Sequence, residues 1–266
     1  MFTTRLISGI ILVVLALLIV GAGGSILFAV NGAISMVGLF ELYRVLKIEK
    51  TPLSAIGYLA CAAYYGLIWF DGHEYVTLMA IAVLMCLMSF YVFTFPKYKT
   101  EEVTVAFFGV FYVAVMLSYL YQVRQMPGGL YLVWLIFFSS WGCDTCAYCA
   151  GKLFGKHKMT PILSPKKTIE GAIGGVAGSA ALGYVYGMLL EHRMLDLSNP
   201  CMACALACAV AALISQIGDL AASAIKRNHQ VKDYGHLIPG HGGILDRFDS
   251  MIFTAPAIYL VITLVR

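Results

Sequence analysis

Charged side chains are scarce in this chain of 266 residues. Asp, Glu, Lys and Arg together make up 12% of the sequence, whereas hydrophobic residues make up 61%. Soluble domains carry roughly 25% charged residues, so this chain has too few charges to cover a water-facing surface. The composition therefore excludes a soluble enzyme, a disordered chain and a disulfide-rich secreted module. The net charge of +4 is too small to indicate a nucleic-acid partner.

Long polar linkers, low-complexity tracts and soluble domains are also missing from the sequence. The eight cysteines lie inside apolar stretches, where a thiol behaves as a small buried hydrophobe. Cys143, Cys146 and Cys149 have a spacing seen in zinc sites, but their place within a long apolar run favours buried thiols.

Apolar runs fill the sequence instead. A transmembrane helix needs about 20 apolar residues, and nine runs meet or approach that length. We therefore predict an all-α polytopic membrane protein with about nine transmembrane helices. The predicted spans are 6–22, 25–43, 52–70, 75–95, 103–123, 129–150, 169–190, 201–225 and 250–265.

The basic residues predict the orientation of these spans. Cytoplasmic segments of membrane proteins carry an excess of Lys and Arg. With a cytoplasmic N-terminus, all but three of the 18 basic residues fall on the cytoplasmic side, and the exceptions are Arg124, Arg193 and Arg266. We therefore predict an integral membrane protein whose N-terminus and whose active site face the cytoplasm.

Two acidic residues lie inside the predicted spans. Asp144 and Asp219 each lie about seven residues before the cytoplasmic end of a span, or roughly 10 Å below the surface. Ionisable groups at that depth are costly and usually mark a functional cavity. Ser215 and Ser223 share a helix face with Asp219. The alternative is that these polar groups only satisfy one another between packed helices.

The cytoplasmic loop 226–249 combines glycines, bases and acids. Gly240, Gly242 and Gly243 suit close approach of the backbone to a phosphate. Asp246 and Asp249 lie three residues apart at the start of the last helix, so they can share a cation. This combination predicts a site for a magnesium-phosphate substrate.

The second polar loop covers residues 151–168. Lys166, Lys167 and Thr168 stand at the predicted start of a helix, which is a ready anion site, and Ser164 and Pro165 suit the turn before it. We expect these residues to contact phosphate. For Lys152, Lys156 and Lys158, a topological role is equally consistent with the sequence.

A longer pattern in the last third of the chain is highly specific. It resembles the signature of the phosphatidate cytidylyltransferase family, the CDP-diacylglycerol synthases. The matching residues are Ser223, Lys226, Arg227, Lys232, Asp233, Leu237, Pro239, His241, Gly242, Gly243, Leu245, Asp246, Arg247 and Asp249, supported by the runs 144–151 and 164–171 and by Gly218 with Asp219.

This resemblance implies transfer of the cytidylyl group of CTP to phosphatidate, in a membrane-embedded homodimer that requires Mg²⁺, with a second cation left open. It implies N-terminal transmembrane helices over 1–128 and a catalytic region over 129–266. The expected catalytic residues are Asp144, Lys167, Asp219, Lys226 and Asp246. The expected metal ligands are Asp219, Asp246 and Asp249. The expected substrate-binding residues are Ser164, Lys166, Thr168, Ser223, Arg227, Lys232, Gly240, His241, Gly242, Gly243 and Arg247.

Two other functions are consistent with the same residues. A CTP-dependent lipid kinase would use the same nucleotide and metal but would release CDP instead of pyrophosphate. A transporter with buried acids would form no CTP-dependent product.

Overall fold

Nine long helices make up the computed structural model, which describes residues 2–194 and 196–266 and, for the first helix, side chains from Ile7 onward. The helices are α1 Phe2–Ala22, α2 Gly24–Val45, α3 Pro52–Trp69, α4 Val76–Thr94, α5 Thr100–Gln125, α6 Gly129–Phe154, α7 Ile169–Leu189, α8 Pro200–Asn228 and α9 Leu245–Val265. They correspond one to one with the nine predicted spans. Within the described residues, eight of these helices are long and apolar enough to cross a membrane, and α1 adds the shorter apolar segment Ile7–Ala22.

Local sequence signals explain where several helices begin. Thr51 and Asn199 cap α3 and α8 with their side-chain oxygens, and each is followed by a proline in the first turn. A proline costs nothing at that position because its missing N–H would have no helical partner there. The interiors of α5 and α6 contain π-helical segments at Val110–Val115 and Phe138–Gly142.

Small residues let α7 pack closely against α6 and α8. A Cβ added to Gly183 would lie 2.6 Å from the carbonyl oxygen of Cys204 on α8. A Cβ on Gly175 would lie 3.0 Å from the Sγ of Cys143 on α6. Small residues at such positions let helix backbones approach closely in lipid. The eight cysteines are free thiols.

The chain between α6 and α7 forms a short hairpin, which the all-α prediction did not include. Strand β1, Lys158–Thr160, pairs antiparallel with β2, Ser164–Thr168. The Glu170 carboxylate at the start of α7 accepts hydrogen bonds from the backbone N–H groups of Lys156 and His157. The polar connection thus satisfies its backbone by pairing with itself and with the helix end.

The helices form one bundle. The predicted boundary near residue 128 falls in the turn between α5 and α6, and α9 packs against α2 and α5 as well as α8. Ser8 near the start of α1 donates a hydrogen bond to the Pro239 carbonyl, so the start of α1 and the loop before α9 lie at the same end. At the other end, Arg124 bonds the Val20 carbonyl.

Candidate active site

Three carboxylates from three different helices lie close together inside the bundle. Asp144 is on α6, directly after the π-helical segment, Asp219 is on α8, and Asp249 is in the first turns of α9. Asp219 interacts electrostatically with both of the others. The helices extend nine or ten residues beyond Asp219 and Asp144, or about 14 Å. The predicted pair at matching depth is therefore joined by a third acid.

A lysine from the hairpin reaches this cluster. The Lys167 Nζ forms an ion pair with the Asp219 Oδ2, and each side chain is about a quarter exposed, at 26% and 27%. Lys167 stands on β2, next to Thr168, whose hydroxyl accepts the N–H of Gly171 and caps α7. The predicted helix start is confirmed, and the Thr168 hydroxyl that we expected at a phosphate serves as the cap.

Asp246 has a different environment. Its Oδ1 accepts a hydrogen bond from the Lys226 ammonium at 2.9 Å, and its Oδ2 accepts the N–H groups of Tyr234 at 2.7 Å and Gly243 at 3.0 Å. The Gly235 N–H lies 3.4 Å from the same oxygen. This carboxylate therefore holds the loop before α9 in place, and it occupies the Gly243 N–H that we expected to contact phosphate.

Asp249 lies one helical turn further along α9 with fewer partners. Its Oδ1 accepts the N–H of Ser250 at 2.8 Å, and its Oδ2 lies 3.9 Å from the Lys226 ammonium. It is 9% exposed, and Asp246 is 5% exposed. The two acids are thus similarly buried, and they differ in their hydrogen-bond partners.

Two residues of α2 hold the same loop from the other side. The Glu41 carboxylate accepts the N–H groups of Ile244 at 3.1 Å and Leu245 at 2.8 Å, so it caps the start of α9. Arg44 donates to the Tyr234 carbonyl at 2.6 Å. Glu41 was visible in the sequence only as an acid near a cytoplasmic helix end, and no sequence signal connects it to α9.

Tyr234 is buried beneath the loop, with 1% of its surface exposed. Its hydroxyl donates to the Ala222 carbonyl at 3.1 Å, and the Lys226 ammonium lies 5.1 Å from its ring centroid. Burial raises the pKa of the Tyr234 phenol, so it stays protonated. Sequence reasoning missed this residue, which lies in a polar segment.

A cavity of about 320 Å³ opens beside the acid cluster. Asp144 and Gln216 line it, together with Lys166, Lys167 and Thr168. Its size falls within the range of roughly 300–1,000 Å³ typical of small-molecule sites. Gln216 was not predicted, although a lone amide three residues before Asp219 on an apolar helix is a usable signal.

A second, more open cleft of about 510 Å³ lies along the loop. Lys232, Gly240, His241, Gly242 and Arg247 line it, so the structure brings these predicted residues together. Gly240 and Gly242 have φ values of 77° and 88°, which favour glycine.

The remaining predicted residues surround the site at greater distance. Ser223 is half-buried and Arg227 is exposed in the last turns of α8, and Ser164 begins β2. None of the hydrogen bonds described above involves these three side chains.

The carboxylates of the cluster do not form a complete metal site by themselves. Among the described residues, no three His, Cys, Asp or Glu side chains are placed to hold a metal ion by themselves. Mg²⁺ is usually bound by one or two carboxylates together with substrate phosphates. Asp219 and Asp249 fit that arrangement, with Asp144 nearby, whereas both oxygens of Asp246 already have donors.

Comparison with known proteins extends beyond these motifs to nearly the whole chain. Residues 3–265 match the Cytidylyltransferase family. The chain is 31% identical over 267 residues to a phosphatidate cytidylyltransferase of Bacillus subtilis (strain 168), covering 98% of this chain and 97% of the relative. It is 33% identical over 262 residues to one from Staphylococcus epidermidis (strain ATCC 12228 / FDA PCI 1200), covering 97% and 98%.

Proposed function

The chain belongs to the cytidylyltransferase family, and on that premise we propose that it transfers the cytidylyl group of CTP to phosphatidate. The products are CDP-diacylglycerol and pyrophosphate. The observation that carries this proposal is the cluster of Asp144, Asp219 and Asp249 beside a lysine-lined cavity, inside a bundle of membrane-spanning helices. A nucleotide from water and a phosphate anchored in lipid can both reach such a site.

The reaction makes one bond and breaks one. An oxygen of the phosphatidate phosphate forms a bond to the α-phosphorus of CTP, and the bond from that phosphorus to the oxygen bridging to the β-phosphate breaks. Pyrophosphate leaves with the bonding electron pair. Because the attacking oxygen is already anionic, no strong general base is needed, and the main barrier is repulsion between two anionic reactants.

The basic residues of this chain reduce that repulsion. We assign Lys166 and Lys167, which line the cavity beside the acid cluster, to the phosphates of CTP. In the structure Lys167 is paired with Asp219. When the nucleotide binds, its phosphate oxygens would replace the Asp219 carboxylate as the partner of Lys167. Lys232 and Arg247 line the open cleft along the loop, and their positive charges would lower the repulsion between the two reactants further.

We assign the magnesium ligands to Asp219 and Asp249, with Asp144 in the same cluster. A bound Mg²⁺ would neutralise phosphate oxygens and orient the nucleotide. Asp246, for which the sequence predicted the same role, is assigned instead to holding the loop, because Lys226 and backbone N–H groups occupy both of its oxygens.

The cytoplasmic location of the site and the homodimer are parts of the same proposal. The distribution of Lys and Arg supports the orientation, since the loops 151–168 and 226–249 lie at the end opposite Arg124. The family resemblance supports the dimer.

The proposal is tested by incubating the purified protein with CTP labelled in the α-phosphate, Mg²⁺ and phosphatidate, followed by lipid extraction. We expect label in the lipid phase and pyrophosphate in the aqueous phase. Absence of label from the lipid would refute the proposal, and release of CDP would identify a lipid kinase.

The same assay tests the metal assignment. Asp249→Asn should lower CTP turnover by about 10²–10³-fold, an effect of the size seen when a group that stabilises transition-state charge is removed. Asp71→Asn, at the opposite end of the bundle and 94% exposed in its side chain, is the matched control and should leave turnover unchanged. Full Mg²⁺-dependent turnover by Asp249→Asn would overturn the assignment.

A further inference from the structure

An apolar groove of about 420 Å³ runs between α1 and α2, apart from the cavity beside the acid cluster. Gly9, Val13 and Ala16 of α1 form one wall, and Ile34 of α2 and Trp141 of α6 line the other parts. The groove shares no lining residue with the lysine-lined cavity. Two separate spaces therefore approach the centre of the protein.

The length of the groove matches one leaflet of a membrane. It follows α1 from Gly9 to Val20, which corresponds to about 16 Å at 1.5 Å per residue. The hydrocarbon core of a bilayer is about 30 Å thick, so one acyl chain of one leaflet spans about half of it. The groove begins at the end of the bundle that carries the polar loops, because Ser8 bonds the Pro239 carbonyl there.

The groove ends on two polar side chains. His241 and Arg247 line both the apolar groove and the polar cleft along the loop. Among the described buried atoms, the His241 Nδ1 and the Arg247 Nε are two of the four that have no hydrogen-bond partner in the protein. A buried donor without a partner is costly, and an anionic oxygen is the acceptor that a guanidinium binds best.

Arg247 also connects this end of the groove to the acids. It interacts electrostatically with Asp144 and with Asp249. A phosphate bound to Arg247 at the end of the groove would therefore lie near the acid cluster.

We propose that this groove holds one acyl chain of the lipid substrate, with Arg247 and His241 contacting its phosphate. This inference rests on the proposed function and adds the route by which the lipid reaches the site. An apolar channel with a cationic end is complementary to phosphatidate, whose acyl chains join an anionic headgroup. The nucleotide and the lipid would then approach the acids from different sides.

A pair of neighbouring substitutions on α1 tests the groove. Val13 lines it and Val14 does not, and the two are 45% and 46% exposed. Val13→Trp should lower kcat/KM about tenfold for long-chain phosphatidate, because the indole displaces a few methylene groups of the acyl chain. Val13 lies about 6 Å along α1 from Gly9, so the acyl chains of dihexanoyl phosphatidate end near it, lose few contacts there, and its turnover should fall much less. Val14→Trp should leave both substrates unaffected.

The outcomes separate this inference from the proposed function. If the wild-type protein makes no CDP-lipid from either phosphatidate, the proposed function fails. If Val13→Trp and Val14→Trp behave alike on both substrates while the wild type is active, the groove assignment is overturned. Should Val13→Trp not fold, Ala16→Phe on the same wall replaces it.

A binding measurement on the wild-type protein gives an independent readout. Phosphatidate with a diazirine at the end of one acyl chain is photolysed with the protein in detergent, and the labelled peptides are identified. We expect label on α1 and α2, near Val20 and Leu27 at the far end of the groove. Equal labelling of α4, which is mostly exposed, would show bulk lipid contact only and would overturn the proposal.

Discussion

The two polar loops at one end of the bundle are held in different ways. The loop 229–244 is held by charged side chains of two helices, namely Glu41 and Arg44 of α2 and Asp246 of α9, and Lys226 of α8 pairs with Asp246. The hairpin 158–168 instead pairs with itself. The Glu170 carboxylate and the Thr168 cap connect this region to α7, and Lys167 pairs with Asp219 of α8. The first loop is buried at Tyr234, Gly235 and Gly243, whereas the only buried residue of the hairpin is Thr168 at its end.

This difference shows that acids in the membrane-embedded part serve two purposes. Asp246 and Glu41 accept backbone N–H groups with their carboxylate oxygens and hold the backbone in place, whereas Asp219 interacts electrostatically with Asp144 and Asp249. The buried loop should therefore respond to substitution through stability, and the surface hairpin through substrate binding.

Among substitutions in the two loops and their contacts, Asp246→Ala is expected to lower the stability of the protein most. The change leaves the Lys226 ammonium and the N–H groups of Tyr234 and Gly243 buried without their acceptor. Breaking a buried ion pair in this way costs about 3–5 kcal/mol. The melting temperature of the detergent-solubilised protein should fall clearly, and that of Asp249→Asn should not. Equal melting temperatures for Asp246→Ala and the wild type would show that the loop is not held by this carboxylate.

Glu41→Ala should destabilise the protein by a smaller amount. Two backbone N–H groups at the start of α9 lose their acceptor, and an unsatisfied buried donor costs about 1–3 kcal/mol. The same thermal melt measures the change, with Glu74→Ala as the control, because Glu74 is exposed at the opposite end of the bundle. If the two variants melt alike, the contact between α2 and α9 does not stabilise the loop.

The smallest effect on the fold is expected in the hairpin. Lys167→Met should raise KM for CTP about tenfold, which corresponds to ~1.4 kcal/mol of binding, without lowering the melting temperature. Lys158→Met removes an exposed charge from the partner strand and should leave KM near the wild-type value. A comparable rise in KM for both variants would mean that the hairpin acts only through its net charge.

The positions of the helices were largely predictable, because hydropathy and capping are local properties. Thr168 indicates the start of α7, and Pro52 and Pro200 indicate the starts of α3 and α8. The convergence of Asp144 and Asp219 followed from their matching depth. The hairpin was not predicted, since its pairing depends on a polar connection of a few residues that has no strong strand pattern.

The roles of individual acids were less predictable. Asp246 and Asp249 are the same residue type, three positions apart on one helix face, and the sequence predicted one role for both. Their difference arises because the loop folds back onto Asp246 and places N–H groups of Tyr234 and Gly243 around it. The link from Glu41 to Leu245 joins residues 204 positions apart, and no local signal predicts such a contact.

The sequence by itself determined that this is a membrane protein of about nine helices, with its few charges gathered at one end and a cytidylyltransferase signature among them. Composition and spacing are sufficient for this because a lipid environment requires long apolar helices and tolerates charges only where function or topology keeps them. Only the tertiary structure decided which acids hold the loop, which face the open cluster, and where an apolar groove meets Arg247. These properties depend on which helices become neighbours, and that is set by packing between distant segments of the chain.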